Sequence, residues 1–156
     1  MDSVELIKKL YEYDYWANQE TRAGLATLTS GQEKPLKYFS HVIAAQQIWR
    51  ARFDDPAPFT GDAWPATSLE DCRTAIDELR AQWADLLGRM TEEELAEDLV
   101  YKNLKGNDLR TPIGDALMHV ITHSVHHRGQ AAAAIRDAGG QPSATDFVVY
   151  VRKKKG

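Results

Sequence analysis

The stretch Met118-His119-Val120-Ile121-Thr122-His123-Ser124-Val125-His126-His127-Arg128-Gly129-Gln130 decides how this chain is read. It holds four of the five histidines and lies inside a run, from about Pro112 to Ala138, that has helical periodicity. At roughly 100° per residue, His123 lies about 40° round the helix from His119, His127 about 80°, and His126 about 20° the other way. All four project from one side and Arg128 from the other. With Val120, Ala131 and Ile135 near them, the imidazoles are expected on the core-facing surface.

Helical spacing lets pairs of these rings act together. Residues at i and i+4 have Cβ atoms about 5–6 Å apart, so two imidazole nitrogens can reach one cation at roughly 2.0–2.1 Å. His119/His123 and His123/His127 have this spacing, and His123/His126 has the workable i+3 spacing. Spacing does not choose among them. A catalytic site of the zinc type uses three protein ligands and an open position, and the remaining histidine, His41, is the obvious third. Alone on its helical face it would read as a hydrogen-bonded core residue; the distant cluster shifts that balance.

The 156 residues suit one domain, 1–156, with a full core. The net charge of −4 argues against a nucleic-acid partner, which calls for a basic face. The short basic run Arg152-Lys153-Lys154-Lys155 reads as a solvated terminus. The single cysteine, Cys72, permits no internal disulfide and fits a reducing, cytoplasmic setting. The first residues have no signal-peptide core, and no apolar run approaches the ~18 residues of a membrane span.

Outward from the histidines, the pattern predicts four long helices. The first runs from Ser3 to about Leu28, with Asp14 and Asn18 close to its apolar stripe. Two readings compete for them: solvated residues at the stripe's edge, or residues that line a polar pocket or support a metal ligand from behind. The second helix follows Ser30-Gly31-Gln32-Glu33, which has the form of a capping box, and carries His41 to about Phe53. Residues 54–65, with Pro56, Pro58, Gly61 and Pro65, form a loop whose Phe59 and Trp64 either cover a pocket mouth or pin the loop down. Thr67-Ser68-Leu69-Glu70 predicts a third helix bearing Cys72, Ile76, Leu79, Trp83, Leu86 and Met90 on one seam. Thr91-Glu92-Glu93-Glu94 caps a short turn. Segments 98–103 and 109–111 make either a small hairpin or an irregular crossover. The last helix opens with Thr111 as N-cap and Pro112 at its first position, and ends at Gly139-Gly140. Gly129 within it is expected to admit a neighbouring helix closely. Residues 146–151 are apolar enough to dock on the body. The fold class is all-α: a four-helix bundle with a crossover loop and room for one short hairpin.

Three stretches carry a resemblance to a known family. Tyr13-Asp14-Tyr15-Trp16-Ala17-Asn18, His41 with its apolar run toward Trp49, and His119 through Gln130 together resemble the DinB family of the DinB/YfiT-like metalloenzyme superfamily. The last stretch is similar to that family's His-x-x-x-His-x-x-x-His-Arg-Gly-Gln signature and is quite specific. The resemblance implies a four-helix bundle, often a homodimer, with zinc or nickel held by His41, His123 and His127. His119 would then orient or pack, and His126 stands where an aromatic is commoner. Thr122 replaces an asparagine frequent in the family. DNA-damage induction gives the family its name and specifies no chemistry. Some relatives are thiol S-transferases using low-molecular-weight thiols.

The expected function is a metal-dependent enzyme, a thiol S-transferase or hydrolase acting on a small molecule. Three neutral imidazoles leave a divalent cation its charge and an open position, where bound water serves as nucleophile or base, or a substrate thiolate binds. Asp14 or Asn18 would orient that water or an imidazole. The alternative is a non-catalytic stress-response protein with a structural or sensory metal, which a fourth ligand such as His119 or His126 would favour.

Overall fold

The computed structural model describes residues 1–57 and 59–155, with side chains described as far as Arg152. Pro58 and the side chains of Lys153, Lys154 and Lys155, read above as loop and solvated tail, lie outside the described residues. The chain is mostly helical, with one small sheet. In order it forms α1 (Ser3–Ala26), α2 (Glu33–Arg52), α3 (Leu69–Gly88), a 3₁₀ turn (Glu94–Ala96), β1 (Asp98–Lys102), β2 (Asp108–Pro112), α4 (Ile113–Asp137) and α5 (Phe147–Lys155). None of the described helices is long and apolar enough to cross a membrane.

The helix boundaries follow local chemistry, at times a residue away from the sequence expectation. Asp2 and Glu5 form a reciprocal capping box on α1. On α2 the expected Ser30 box is not made. Gly31 turns the chain at φ 72°, and Gln32 becomes the N-cap with no side-chain bond. On α3 the box is one residue later than expected, Ser68 with Asp71. Thr67 bonds the Ser40 hydroxyl instead, at 2.5 Å. Thr91 and Glu94 do form their predicted box. Thr111 does not cap α4, because it is still paired with Leu99 in the sheet; Pro112 takes that place. At the far end Gly139, at φ 86°, closes the helix. Its N–H reaches Arg136 O and that of Gly140 reaches Ile135 O, a Schellman arrangement.

The uncertain segment after α3 is a hairpin, with antiparallel register from Asp98↔Pro112 to Lys102↔Asp108. Asn103 organises its turn by accepting the N–H groups of Lys105 and Asn107. Leu99 and Tyr101 alternate inward and pack with Ala116 against Trp49 and Phe53.

The main packing is α2 on α4 and α1 on both α3 and α4. The shared core joins Ile7, Tyr11, Phe39, Ile43, Leu117, Val120 and Ile135 to the predicted α3 seam of Cys72, Ile76, Leu79, Trp83 and Leu86. Residues 147–151 dock as expected, Phe147 and Tyr150 packing on Tyr13 and Trp16 of α1. The pairing of α2 with α4 is what matters for the site, since it brings His41 against the histidines of the last helix.

Candidate metal centre

His41, on α2, is buried, and His123 and His127, one turn apart on α4, are half-buried. Their rings converge. The centroids lie 4.9 Å apart for His41 and His123, and 4.4 Å apart for each of the other two pairs. One nitrogen from each ring lies within 4.8 Å of the others. The Nε2 atoms of His41 and His123 are 3.3 Å apart. Two nitrogens bound tetrahedrally at about 2.0–2.1 Å stand roughly 3.3–3.4 Å from each other. The donor set and its spacing therefore fit a divalent transition metal, and among the described residues no fourth ligand of this kind joins the group.

The outer nitrogens are also held. Nδ1 of His41 donates to the carbonyl of Ala63 at 2.6 Å, and Nδ1 of His127 donates to Oε1 of Gln130 at 2.6 Å. With each proton on Nδ1, the Nε2 lone pair is the one left for a cation, the pattern that metal-binding histidines use. Burial is the main cause that holds His123 down to about 4, with the neighbouring imidazoles His127, His41, His119 and His126 adding to it. His41 is lowered too, chiefly by burial. Lowered in this way, His41 and His123 favour the neutral state, the one that can coordinate.

Trp64 covers this cluster. Its ring stacks on His41 at 3.6 Å, with 1° between the planes, and meets His127 edge-on at 5.7 Å. Of the two readings of the 54–65 loop aromatics, Trp64 takes the covering one. Sequence reasoning missed the Ala63 carbonyl and Gln130. Gln130 had a signal, its i+3 position from His127.

The helical wheel misjudged which side of α4 is the core. The buried stripe is Ala116, Leu117, Val120, Ile121, Ser124, Arg128, Ala131, Ala134 and Ile135. The histidines sit at its edge, with His119 and His126 exposed, while Arg128, expected to point away, is 2% exposed. Arg128 turns inward because Asp14 waits there: the two form a buried ion pair, and Arg128 also donates to Asn18 Oδ1 at 3.0 Å. Gly129 admits no neighbouring helix. It is exposed, and a Cβ there would meet nothing within 4 Å.

Asp14 and Asn18 are each 3% exposed, so they are not solvated edge residues. Asp14 accepts from Asn18 at 3.1 Å and from Gln46 at 2.5 Å, and Gln46 also donates to Ser124 at 3.1 Å. Asp14, Asn18 and Gln46 line the base of a cavity of about 200 Å³ between α1 and α3, walled by Tyr11, Leu79 and Trp83. This polar group bonds no imidazole among the described residues. It grips α4 from behind, at Ser124 and Arg128, the neighbours in sequence of His123 and His127.

A helical chain that draws three imidazoles from two helices to one point, with two of the outer nitrogens fixed, defines a protein with a histidine cluster suited to a metal. The chain belongs to the DinB family, whose profile matches residues 1–155. It is similar to Protein DinB of Bacillus subtilis (strain 168), with 27% identity over 92% of each chain. No solved structure matches.

Proposed function

We propose that His41, His123 and His127 hold a divalent cation, zinc or nickel, through their Nε2 atoms, and that the protein is a metal-dependent enzyme acting on a small molecule. The four long helices would act as a bundle that carries the site between α2 and α4. The observation that carries this reading is the 3.3 Å separation of two Nε2 atoms whose rings lie on different helices. A divalent cation with three protein donors supplies Lewis acidity and keeps a coordination position for an incoming group.

The chain's own residues do the rest. Ala63 and Gln130 orient two of the imidazoles. Trp64 shields the face of His41 and restricts water. The Asp14–Arg128–Gln46 group fixes α4 in rotation and has no direct part in bond-making. Of the reaction types, transfer of a low-molecular-weight thiol is favoured over hydrolysis, because a thiol can arrive as the thiolate and would need no further activation at the cluster. The three-donor set favours a catalytic site over a structural or sensory one, for which a fourth protein ligand is usual. Exposed Met118 and Val125 on α4 suit pairing with a second copy of the chain. The free, buried Cys72 accords with a reducing cytoplasm.

The test is metal content after loading and desalting, for wild type and His41→Ala, followed by conjugation of small thiols to electrophiles. One metal per chain, lost in the variant, with turnover that follows metal content, is expected. A metal retained without His41 would overturn the ligand set, and full occupancy without turnover would favour the sensory or structural reading.

A further inference from the structure

Arg52 is the last residue of α2 and only 8% exposed, yet among the described residues its side chain makes no hydrogen bond or ion pair. Its Nε is buried without a partner. The guanidinium lies over two adjoining rings, 4.3 Å from Trp49 and 4.6 Å from Tyr101. A charge removed from water is costly unless it is paired, and a cation–π contact recovers only part of that cost. Arg50, two residues earlier, shows the usual solution, an ion pair with Asp54 at 2.9 Å. Arg52 has its plane fixed by aromatic rings and its charge left over. That is the preorganisation a planar fork needs to take a carboxylate bidentately.

The position of Arg52 relates it to the histidine cluster. His41, Trp49 and Arg52 fall along one face of α2, at i, i+8 and i+11. Opposite them, His119 stands 5.1 Å from Trp49 and 5.6 Å from His123, ring to ring. A continuous row therefore runs from the three-histidine cluster past His119 and Trp49 to Arg52. Eleven helical residues rise about 16 Å, which sets the span as that of an extended small molecule. His119 is exposed, and Tyr101 bonds Thr111. The planar fork of one guanidinium matches the two oxygens of one carboxylate.

We propose that Arg52 binds the carboxylate of an elongated small-molecule substrate whose reactive end, a thiol, lies at the His41/His123/His127 cluster. The second half of this statement rests on the metal-enzyme reading; the first does not. Arg52 is a specificity-determining residue that sets which thiols are accepted.

Two titrations separate the halves. In the first, metal-free protein is titrated with hexanoate, following the His119 ring and Trp49 indole resonances. Saturable shifts are expected, absent with hexanol, weakened at least about tenfold in Arg52→Gln and largely kept in Arg52→Lys. Equal hexanoate binding by wild type and Arg52→Gln, or no saturable shift, would overturn the proposal and leave Arg52 as a staple between α2 and the hairpin. Tighter binding of inorganic phosphate than of hexanoate at these resonances would overturn the choice of a carboxylate. In the second, cobalt-loaded protein is titrated with ω-mercaptoalkanoates of increasing length and the matching mercaptoalcohols, read by the thiolate–cobalt absorption band. The acids should bind about tenfold tighter at one favoured length, and the advantage should vanish in Arg52→Gln while the alcohols bind as before. A length-independent ratio near one overturns the linked site. Hexanoate binding at Arg52 with no thiolate band for either series would sink the metal-enzyme reading alone.

Discussion

His41 and His123 are 82 positions apart in sequence, and their Nε2 atoms stand 3.3 Å apart. That separation is within reach of a hydrogen bond between two neutral rings, and it is also the spacing of two ligands on one cation. The first expectation is that His41→Ala, His123→Ala and His127→Ala each lower metal affinity by more than about 100-fold, beyond the range that supporting residues reach. His126→Ala should leave affinity within about threefold, since that exposed ring lies outside the triad. Competition with a chelator of known affinity measures both. Equal losses at positions 126 and 127 would refute the assignment.

Gln130 holds the His127 ring by its Nδ1, at 2.6 Å. Removing that acceptor frees the tautomer and the ring rotation while leaving the ligand present. Gln130→Leu is therefore expected to cost about 10–100-fold in metal affinity with one metal still bound at saturation. Gln130→Glu, which keeps the acceptor, should restore most of it. An isothermal titration of the three proteins decides the matter; unchanged affinity in Gln130→Leu would remove Gln130 from the site.

How much of this was legible beforehand depends on how local each feature is. A histidine pair on the last helix with His41 as the third ligand is legible, because i and i+4 on a helix are neighbours by geometry and His41 is the one imidazole outside that stretch. The choice among pairs came from family resemblance, and the structure gathers the same three. The support around them was not legible. The Ala63 carbonyl is a main-chain group on a loop, without a side chain to mark it. Arg128 was placed correctly opposite the histidines, yet which side faces the core depends on what the neighbouring helix offers. Asp14 offers a buried carboxylate, and this draws the guanidinium in while the histidines take the edge. The cap positions slipped by one for a similar reason, since Thr111 is held by its strand partner and Thr67 by Ser40.

The Asp14–Arg128 pair predicts a stability effect distinct from metal binding. Both side chains are almost wholly buried, and removing one leaves the other's charge uncompensated. Asp14→Ala should cost about 3–5 kcal/mol, a fall in Tm of about 6–20 °C for a chain of this size. Asp14→Ala combined with Arg128→Met should cost less than the sum of the two single changes, because the charge stranded in each is gone. Additive losses in chemical denaturation would mean that the ion pair is not coupled in the folded protein.

The same buried carboxylate reaches the pH dependence of folding through Tyr11. Its hydroxyl donates to Leu117 O at 3.0 Å, and it is held well above its ordinary value of 10.0, first by burial and then by the charge of Asp14. Above that ordinary value the unfolded chain releases a proton that the folded chain keeps. The folded state then binds more protons, so stability falls as pH rises. The contribution is whole below about pH 10 and is lost progressively above it, up to the raised folded value. Tyr11→Phe cannot ionise. It should cost about 1 kcal/mol at neutral pH for the lost hydrogen bond to the Leu117 carbonyl, and the gap to wild type should close as pH rises from about 9 to about 11. Urea midpoints for the two proteins across that range provide the measurement. A gap that stays constant would show that Tyr11 ionises in the folded state as it does in the unfolded one, and that the Asp14 charge is not felt at its hydroxyl.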